Sequence, residues 1–255
     1  MIKSLKELKK TKMNSYNVFA HYYDYLNQNV DYDAGSRFIS GIFKDNNVKT
    51  VIDLACGTGV ISEKLINNGF DIIGIDASSE MLTLAQNRLV ATGGNYSLIN
   101  AKMQELELTE PADACICCLD SINHLTDDTD VLKTFQNVYN SIKDSGLFIF
   151  DVNTVYKHQT VLNNRAYVFD EEDFFLSWDN ELLNDNTVRI LLDFFIFNGE
   201  NYDRYSEEFF EKAYSEDLLK DMLKTAGFSE INTYGGFDFS QPQENSERLF
   251  FVCRK

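Results

Sequence analysis

The run Val51-Ile52-Asp53-Leu54-Ala55-Cys56-Gly57-Thr58-Gly59 constrains this chain more than any other segment. Thr50 to Ala55 reads as a short apolar strand, and Val60 to Asn68 as the helix that follows, stopped by Gly69. Between them the glycines allow a turn whose backbone can approach a ligand closely, with the helix N-terminus beside it.

The same alternation continues. Phe70 to Asp76 reads as a second strand, and Ser78 or Ser79 can cap a helix to about Ala91 with Met81, Leu82, Ala85 and Leu89 inward. Tyr96 to Asn100, Ala112 to Leu119 and Leu147 to Val152 complete five strands, with a helix over Leu132 to Ile142 and Gly146 as a turn. Short apolar strands alternating with helices imply a parallel sheet covered on both faces. From Asn153 to about Tyr214 the rhythm breaks. Tyr167 to Phe169, Phe174 to Trp178, Thr187 to Phe197 and Tyr202 to Glu211 read as strands joined by polar turns, hence as an antiparallel insertion. A helix capped by Ser215 and ended by Gly227 follows, then strands at Phe228 to Tyr234 and Leu249 to Cys253. The expected division is a helical N-terminal lid over 1–49, an α/β core over 50–153 and 215–255, and a β insertion over 154–214 that lids the acceptor.

Composition narrows the partners. With 40 acidic against 23 basic residues the net charge is −17, which repels phosphate backbones and argues against nucleic acid. It leans toward a cationic or neutral small molecule. No stretch approaches the roughly 20 apolar residues of a membrane span, and Met1 to Asn14 is Lys-rich without a continuous apolar segment. A cytoplasmic protein, monomeric or homodimeric, is expected. The five cysteines suit a reducing compartment, and Cys115, Cys117 and Cys118 read as thiols in a buried strand, with no metal site.

Asp76, at the end of the second strand, can accept both ribose hydroxyls of an adenosine-type ligand. A dinucleotide is one candidate, but Ser62 stands where its third glycine would be, and Asp53 would repel a pyrophosphate. An ammonium and sulfonium would suit Asp53. As a structural carboxylate, Asp53 would bond the backbone amides of the turn.

Asp53 to Gly59, with Gly74-Ile75-Asp76-Ala77-Ser78 and Met81-Leu82, resembles the class I S-adenosylmethionine methyltransferases. Tyr16, Phe19 to Asp24, Asp31-Tyr32, Asp120 to Leu125, Phe150 to Thr154, Arg204-Tyr205 and Ala213-Tyr214 extend the likeness over nearly the whole chain, toward a bacterial group close to small-molecule N-methyltransferases. The resemblance implies a Rossmann-like, mostly parallel seven-stranded sheet and S-adenosylmethionine as cofactor. It implies that Ala55, Gly57 and Gly59 pass the methionine moiety and that Asp76 binds the ribose. Ala77 and Met81 would pack on adenine, with the Met103 amide at a ring nitrogen, and Tyr16 and Tyr23 would close over the methionine end. The family's acid beside adenine is replaced here by Lys102. Met81 and the aromatics at 16–23 equally suit an ordinary amphipathic helix.

Ligands of open parallel sheets lie outside the carboxyl ends of the strands. Asp120 and His124 are therefore candidate catalytic groups, with Asp120 and Asn123 beside the cofactor and Asn153 and Tyr156 beside the methyl acceptor. His124 has two readings, a general base or a loop histidine bonded to backbone. Trp178, Arg204 and Tyr214 are candidate acceptor contacts from the insertion, although Trp178 also suits a core and Arg204 with Glu208 a surface pair. The leading function is methyl transfer to a nitrogen or oxygen of a small molecule by in-line displacement. The alternatives are a non-catalytic S-adenosylmethionine-binding module and an NAD(P)-dependent oxidoreductase.

Overall fold

The computed structural model describes residues 15–255, with side chains from residue 18 onward. Two helices lead in, α1 (Ser15–Leu26) and α2 (Tyr32–Asp45), the second capped by Asp31, whose carboxylate accepts from the Ala34 amide at 2.8 Å. Then β1 (Thr50–Leu54), α3 (Val60–Asn67), β2 (Asp71–Asp76), α4 (Ser79–Leu89), β3 (Tyr96–Asn100), β4 (Ala112–Cys117), α5 (Asp128–Ser141) and β5 (Ile142–Asn153) alternate as expected. Ser78 caps α4 by accepting from the Met81 amide. The fifth strand begins earlier than its apolar run, because Ile142 already pairs with Ala112; the pairing then skips to Leu147, and Gly146 closes the excursion.

Four antiparallel strands follow: β6 (Ala166–Asp170), β7 (Phe174–Leu182), β8 (Thr187–Phe197) and β9 (Tyr202–Lys212). The chain then returns through α6 (Glu216–Ala226), β10 (Glu230–Tyr234) and β11 (Arg248–Arg254). The seven-stranded sheet runs β10-β11-β5-β4-β1-β2-β3, with β11 antiparallel to β5 and β1 to β5 parallel. The order of strands reverses between β1 and β4, which opens a crevice at their carboxyl ends.

Alternation along the strands divides the core in two. Ile52, Cys115, Phe148 and Phe251 pack with α5 and α6 on one face, and Val51, Ile116 and Ile149 with α2 and α3 on the other. Cys115 and Cys117 point into the first of these, as thiols held up in pKa by burial. The insertion has its own core. Leu176, Ile190, Leu192 and Phe194 lie on one face of the four-stranded sheet, and Val18 and Tyr22 of α1 seal it, the Tyr22 ring 4.5 Å from that of Phe174. Among the described residues, no helix is long and apolar enough to cross a membrane.

Candidate functional site

At the crevice, β1 ends in a turn with three positive φ angles: Ala55 at 59°, Gly57 at 54° and Gly59 at 79°. A Cβ on Gly59 would also press on Ala85 at 3.2 Å, so glycine is required there on two counts. The Gly57 amide donates to Oδ2 of Asp76 and the Ser78 amide to Oδ1, both at 2.8 Å. One carboxylate thus ties the turn to the start of α4. Burial pushes the Asp76 carboxyl upward in pKa, and the amides oppose that. Asp53 makes no bond to these amides, contrary to its structural reading; its Oδ2 accepts from Ser62 Oγ at 2.5 Å instead. Only 2% exposed, Asp53 is pushed up to about 7 by burial, against the Ser62 bond, and further by the charge of Asp76.

Helix α1 is fastened over this turn. Thr58 Oγ1 donates to Asp24 at 2.5 Å, and Arg88 bonds both Asp24 and the Thr58 carbonyl. The Tyr23 ring then lies 3.9 Å from where a Cβ on Gly57 would sit. Beside it is a cleft lined by Tyr23, Tyr32, Asp53, Ala55, Gly57 and Leu119, among others. The Tyr32 hydroxyl is buried there without a hydrogen-bond partner. An open glycine backbone, a protonatable buried acid and an orphaned hydroxyl fit a polar ligand with a cationic group.

The far end of the cleft is built differently. Leu119 and Asp120 both have left-handed backbone, φ 58° and 51°, a conformation that costs side-chain-bearing residues of order 1–3 kcal/mol each. Asp151 holds them there, Oδ1 accepting from the Leu119 amide at 2.8 Å and Oδ2 from the Asp120 amide at 3.0 Å. Arg248, from β11, bridges the carboxylates of Asp120 and Asp151. Burial works against the charge on Asp120, yet Arg248, Lys157 and His124 hold its carboxyl below the usual range. Asn153 donates to Asp120 at 2.8 Å and to Glu211 at 3.3 Å, and Lys157 donates to Asn153 at 2.9 Å. Glu211 and Asp151 are nearly inaccessible, at 5% and 4%. Asp151 and Lys157 lie within or beside the strand-end segment that the sequence pointed to, without a role of their own, and neither Arg248 nor Glu211 stood out as a site residue. An arginine opening the final strand of so acidic a chain was the available signal.

The expected site residues separate into groups. Tyr23, Asp53, Ala55 and Gly57 converge on the cleft, Asp76 and Gly59 flank the turn, and Asp120, His124 and Asn153 gather at the far end. His124 is 45% exposed, with Nε2 3.8 Å from Glu211, and its charge lowers the pKa of Asp76. Ala77 is exposed beyond Asp76, Met81 is buried in α4, and Met103 packs its sulfur 3.8 Å from Cys117. Tyr156 is half-buried just before the wide helical turn Lys157–Leu162. Tyr16 falls in α1, but its side chain lies outside the described residues.

Three assignments are redirected. Asn123 is fully buried and its amide is taken up by backbone, donating to the Asn153 and Lys212 carbonyls and accepting from the Asn153 amide. Tyr214 is a core residue whose hydroxyl donates to the Leu125 carbonyl. Arg204 lies on the outer face of the insertion, since its neighbour Tyr205 shares the inner face with Phe194. Its partner is Asp193, at 2.8 Å and 3.0 Å, while Glu208 pairs with Arg189. Trp178 faces inward, bonded to Asn180 and packed against the insertion core.

Comparison with known proteins agrees with this geometry. A family described as a methyltransferase domain matches residues 51–146. YqeM of Bacillus subtilis (strain 168), which carries the name of a methyltransferase, is 33% identical over 242 residues, covering 94% of this chain and 97% of its own. The crystal structure of an S-adenosylmethionine-dependent methyltransferase from Clostridium acetobutylicum ATCC 824 superposes with a TM-score of 0.85 at 34% identity, over 94% of this chain and 99% of that one. A glycine/sarcosine N-methyltransferase from Aphanothece halophytica is 25% identical over 242 residues, 90% of this chain and 85% of its own.

Proposed function

Because this chain belongs to the class I S-adenosylmethionine-dependent methyltransferases, we propose that it methylates a nitrogen or oxygen of a small molecule held between the glycine turn and the four-stranded insertion. The oxidoreductase and non-catalytic readings give way to that family. S-adenosylmethionine is the cofactor. It supplies a methyl group already activated by sulfonium charge, so the chain has to align the acceptor and exclude water.

The residues divide that work. Asp76 would hold the ribose with the lone pairs that the amides of Gly57 and Ser78 leave free. Asp53 would take the methionine ammonium: burial raises the proton affinity of this carboxyl, and a cation in the proton's place meets the same demand. Tyr32 gives its unpartnered hydroxyl to the same end, and Tyr23 covers it.

The observation that carries a small acceptor is the roof. Tyr23, Phe19, Phe209 and His124 form a continuous aromatic line from the glycine turn to the helical turn Ser121–His124 that follows β4, with ring centroids 5.6, 5.8 and 5.4 Å apart. Such a cover suits a molecule that is enclosed rather than one that is laid across a surface. The charge of −17 disfavours a polyanion, and the glycine/sarcosine enzyme among the relatives acts at nitrogen. The test is release of S-adenosylhomocysteine with a panel of small amines and hydroxy compounds beside tRNA and peptides. Turnover on a small amine or alcohol supports the reading. Turnover confined to a macromolecule overturns it.

A further inference from the structure

Glu211 is the last residue but one of β9, on the inner face of the insertion, and is buried there with a long bond from Asn153 at 3.3 Å. Two imidazoles bracket it: Nε2 of His124 is 3.8 Å from Oε1, and Nε2 of His158 is 3.8 Å from Oε2. The His158 side chain is inaccessible, and its Nε2 is buried without a hydrogen-bond partner. Its Nδ1 lies 2.8 Å from the Asn186 carbonyl, which only accepts, so Nδ1 carries the hydrogen. In the neutral ring, Nε2 therefore offers a lone pair without a donor, 3.8 Å from a carboxyl oxygen. Two buried acceptors that face one another repel, and a proton taken up by the pair relieves that repulsion.

We propose that Glu211 and His158 hold one proton between them, and that through His124 this pair receives the proton an N–H or O–H acceptor gives up on methylation. This use of the pair rests on the acceptor class proposed above. The proton enters at one ring nitrogen of His124 and leaves from Nε2 to the Glu211 carboxylate, which then shares it with His158. Empty, the pair is a carboxylate beside a neutral imidazole. Filled, it is a carboxylic acid beside that imidazole, which closes the 3.8 Å gap by a small side-chain shift to accept from it. It empties to solvent by the same route, since His124 is 45% exposed.

The surrounding charges suit such a store. Asp120 raises the proton affinity of Glu211, Lys157 and His124 lower it, and burial pushes Glu211 up to about 7 while pushing His158 down. Both the empty and the filled form are then accessible near neutrality. Glu211 and His158 are positioning residues; His124 is the group that meets the acceptor.

The test is an NMR titration of the three imidazoles in the full chain, wild type and Glu211→Gln, from about pH 5.5 to 9. Gln keeps the shape and can donate to His158 but cannot store a proton. In the wild type, the His158 resonances should move through a step near neutrality, and in Glu211→Gln they should be flat. Curves that coincide in the two proteins overturn the pair. Where a turned-over acceptor is in hand, the rise of kcat with pH across that step should vanish in Glu211→Gln, with a loss of about ten- to hundredfold above it and little change in KM. An unchanged pH profile overturns the relay, because a purely structural role would scale the rate alike at every pH. The titration needs no acceptor, so its failure is distinct from failure of the acceptor class.

Discussion

The two ends of the cleft both rest on carboxylates, but they stabilise them by opposite means. At the glycine turn, Asp53 and Asp76 face a hydroxyl and backbone amides, and burial drives both toward the protonated form. At the far end, Asp120 and Asp151 share the guanidinium of Arg248, and Asp120 is held ionised. An acid without a counter-ion waits for a cation from a ligand. An acid with one is already satisfied, and it can fix strained backbone such as Leu119 and Asp120. The difference separates a part of the site left open to a ligand from a part that is braced.

Removing the brace should have the largest effect. Arg248→Met leaves two buried carboxylates face to face, and unfolding by urea should show a loss of about 3–5 kcal/mol near neutral pH. The loss should shrink in acid: the lowered pKa of Asp120 means that its stabilisation is present above its ordinary value of 3.8 and vanishes as pH falls through the folded value. A loss that is the same at every pH would mean that packing, not charge, is what Arg248 supplies.

Next comes the binding end. If Asp76 holds the ribose as proposed, Asp76→Ala should weaken S-adenosylmethionine by about a hundredfold or more in calorimetry, through the loss of charge-assisted bonds to both hydroxyls. Affinity within about twofold of wild type would move the ribose elsewhere.

Glu211 contrasts with Asp120 in the sign of its pH dependence. Its folded pKa of about 7 lies above the ordinary 4.5, so its contribution to stability is fully present below 4.5 and is lost as pH rises through 7. Glu211→Gln should therefore raise Tm relative to wild type more at about pH 8 than at about pH 5. The reverse order would mean that the carboxylate is paired with a charged imidazole at high pH.

The smallest effect is expected on the outer face of the insertion. Arg204→Ala removes an ion pair whose arginine is 60% exposed and should change stability by about 0–1 kcal/mol, leaving cofactor affinity untouched. A change in acceptor KM in this variant would show that the outer face, not the inner one, meets the acceptor.

Much of the scaffold was legible locally. Alternation of period two in Thr187–Phe197, the glycine turn, and caps such as Ser78 and Ser215 each depend on residues a few positions apart. Asp53, Gly57 and Asp76 were legible because a strand, its turn and the next strand sit side by side in a parallel sheet. The residues that sit elsewhere than expected do so for two reasons. Whether Arg204 faces inward is a matter of strand parity, and one residue reverses it. Asn123 and Tyr214 look like ligand contacts by type, but buried carbonyls of distant segments claim them.

What the sequence determined by itself was the order of elements, the cleft at the strand ends and the acids on its turn side, because short-range patterning and sheet topology are enough for those. Only the tertiary structure decided the brace and the buried cluster around Glu211. Arg248 meets Asp151 across 97 residues and Asp120 across 128, and Asn153 reaches Glu211 across 58. Charges so far apart in the chain acquire their meaning when burial removes water from between them, and burial is a property of the packed fold.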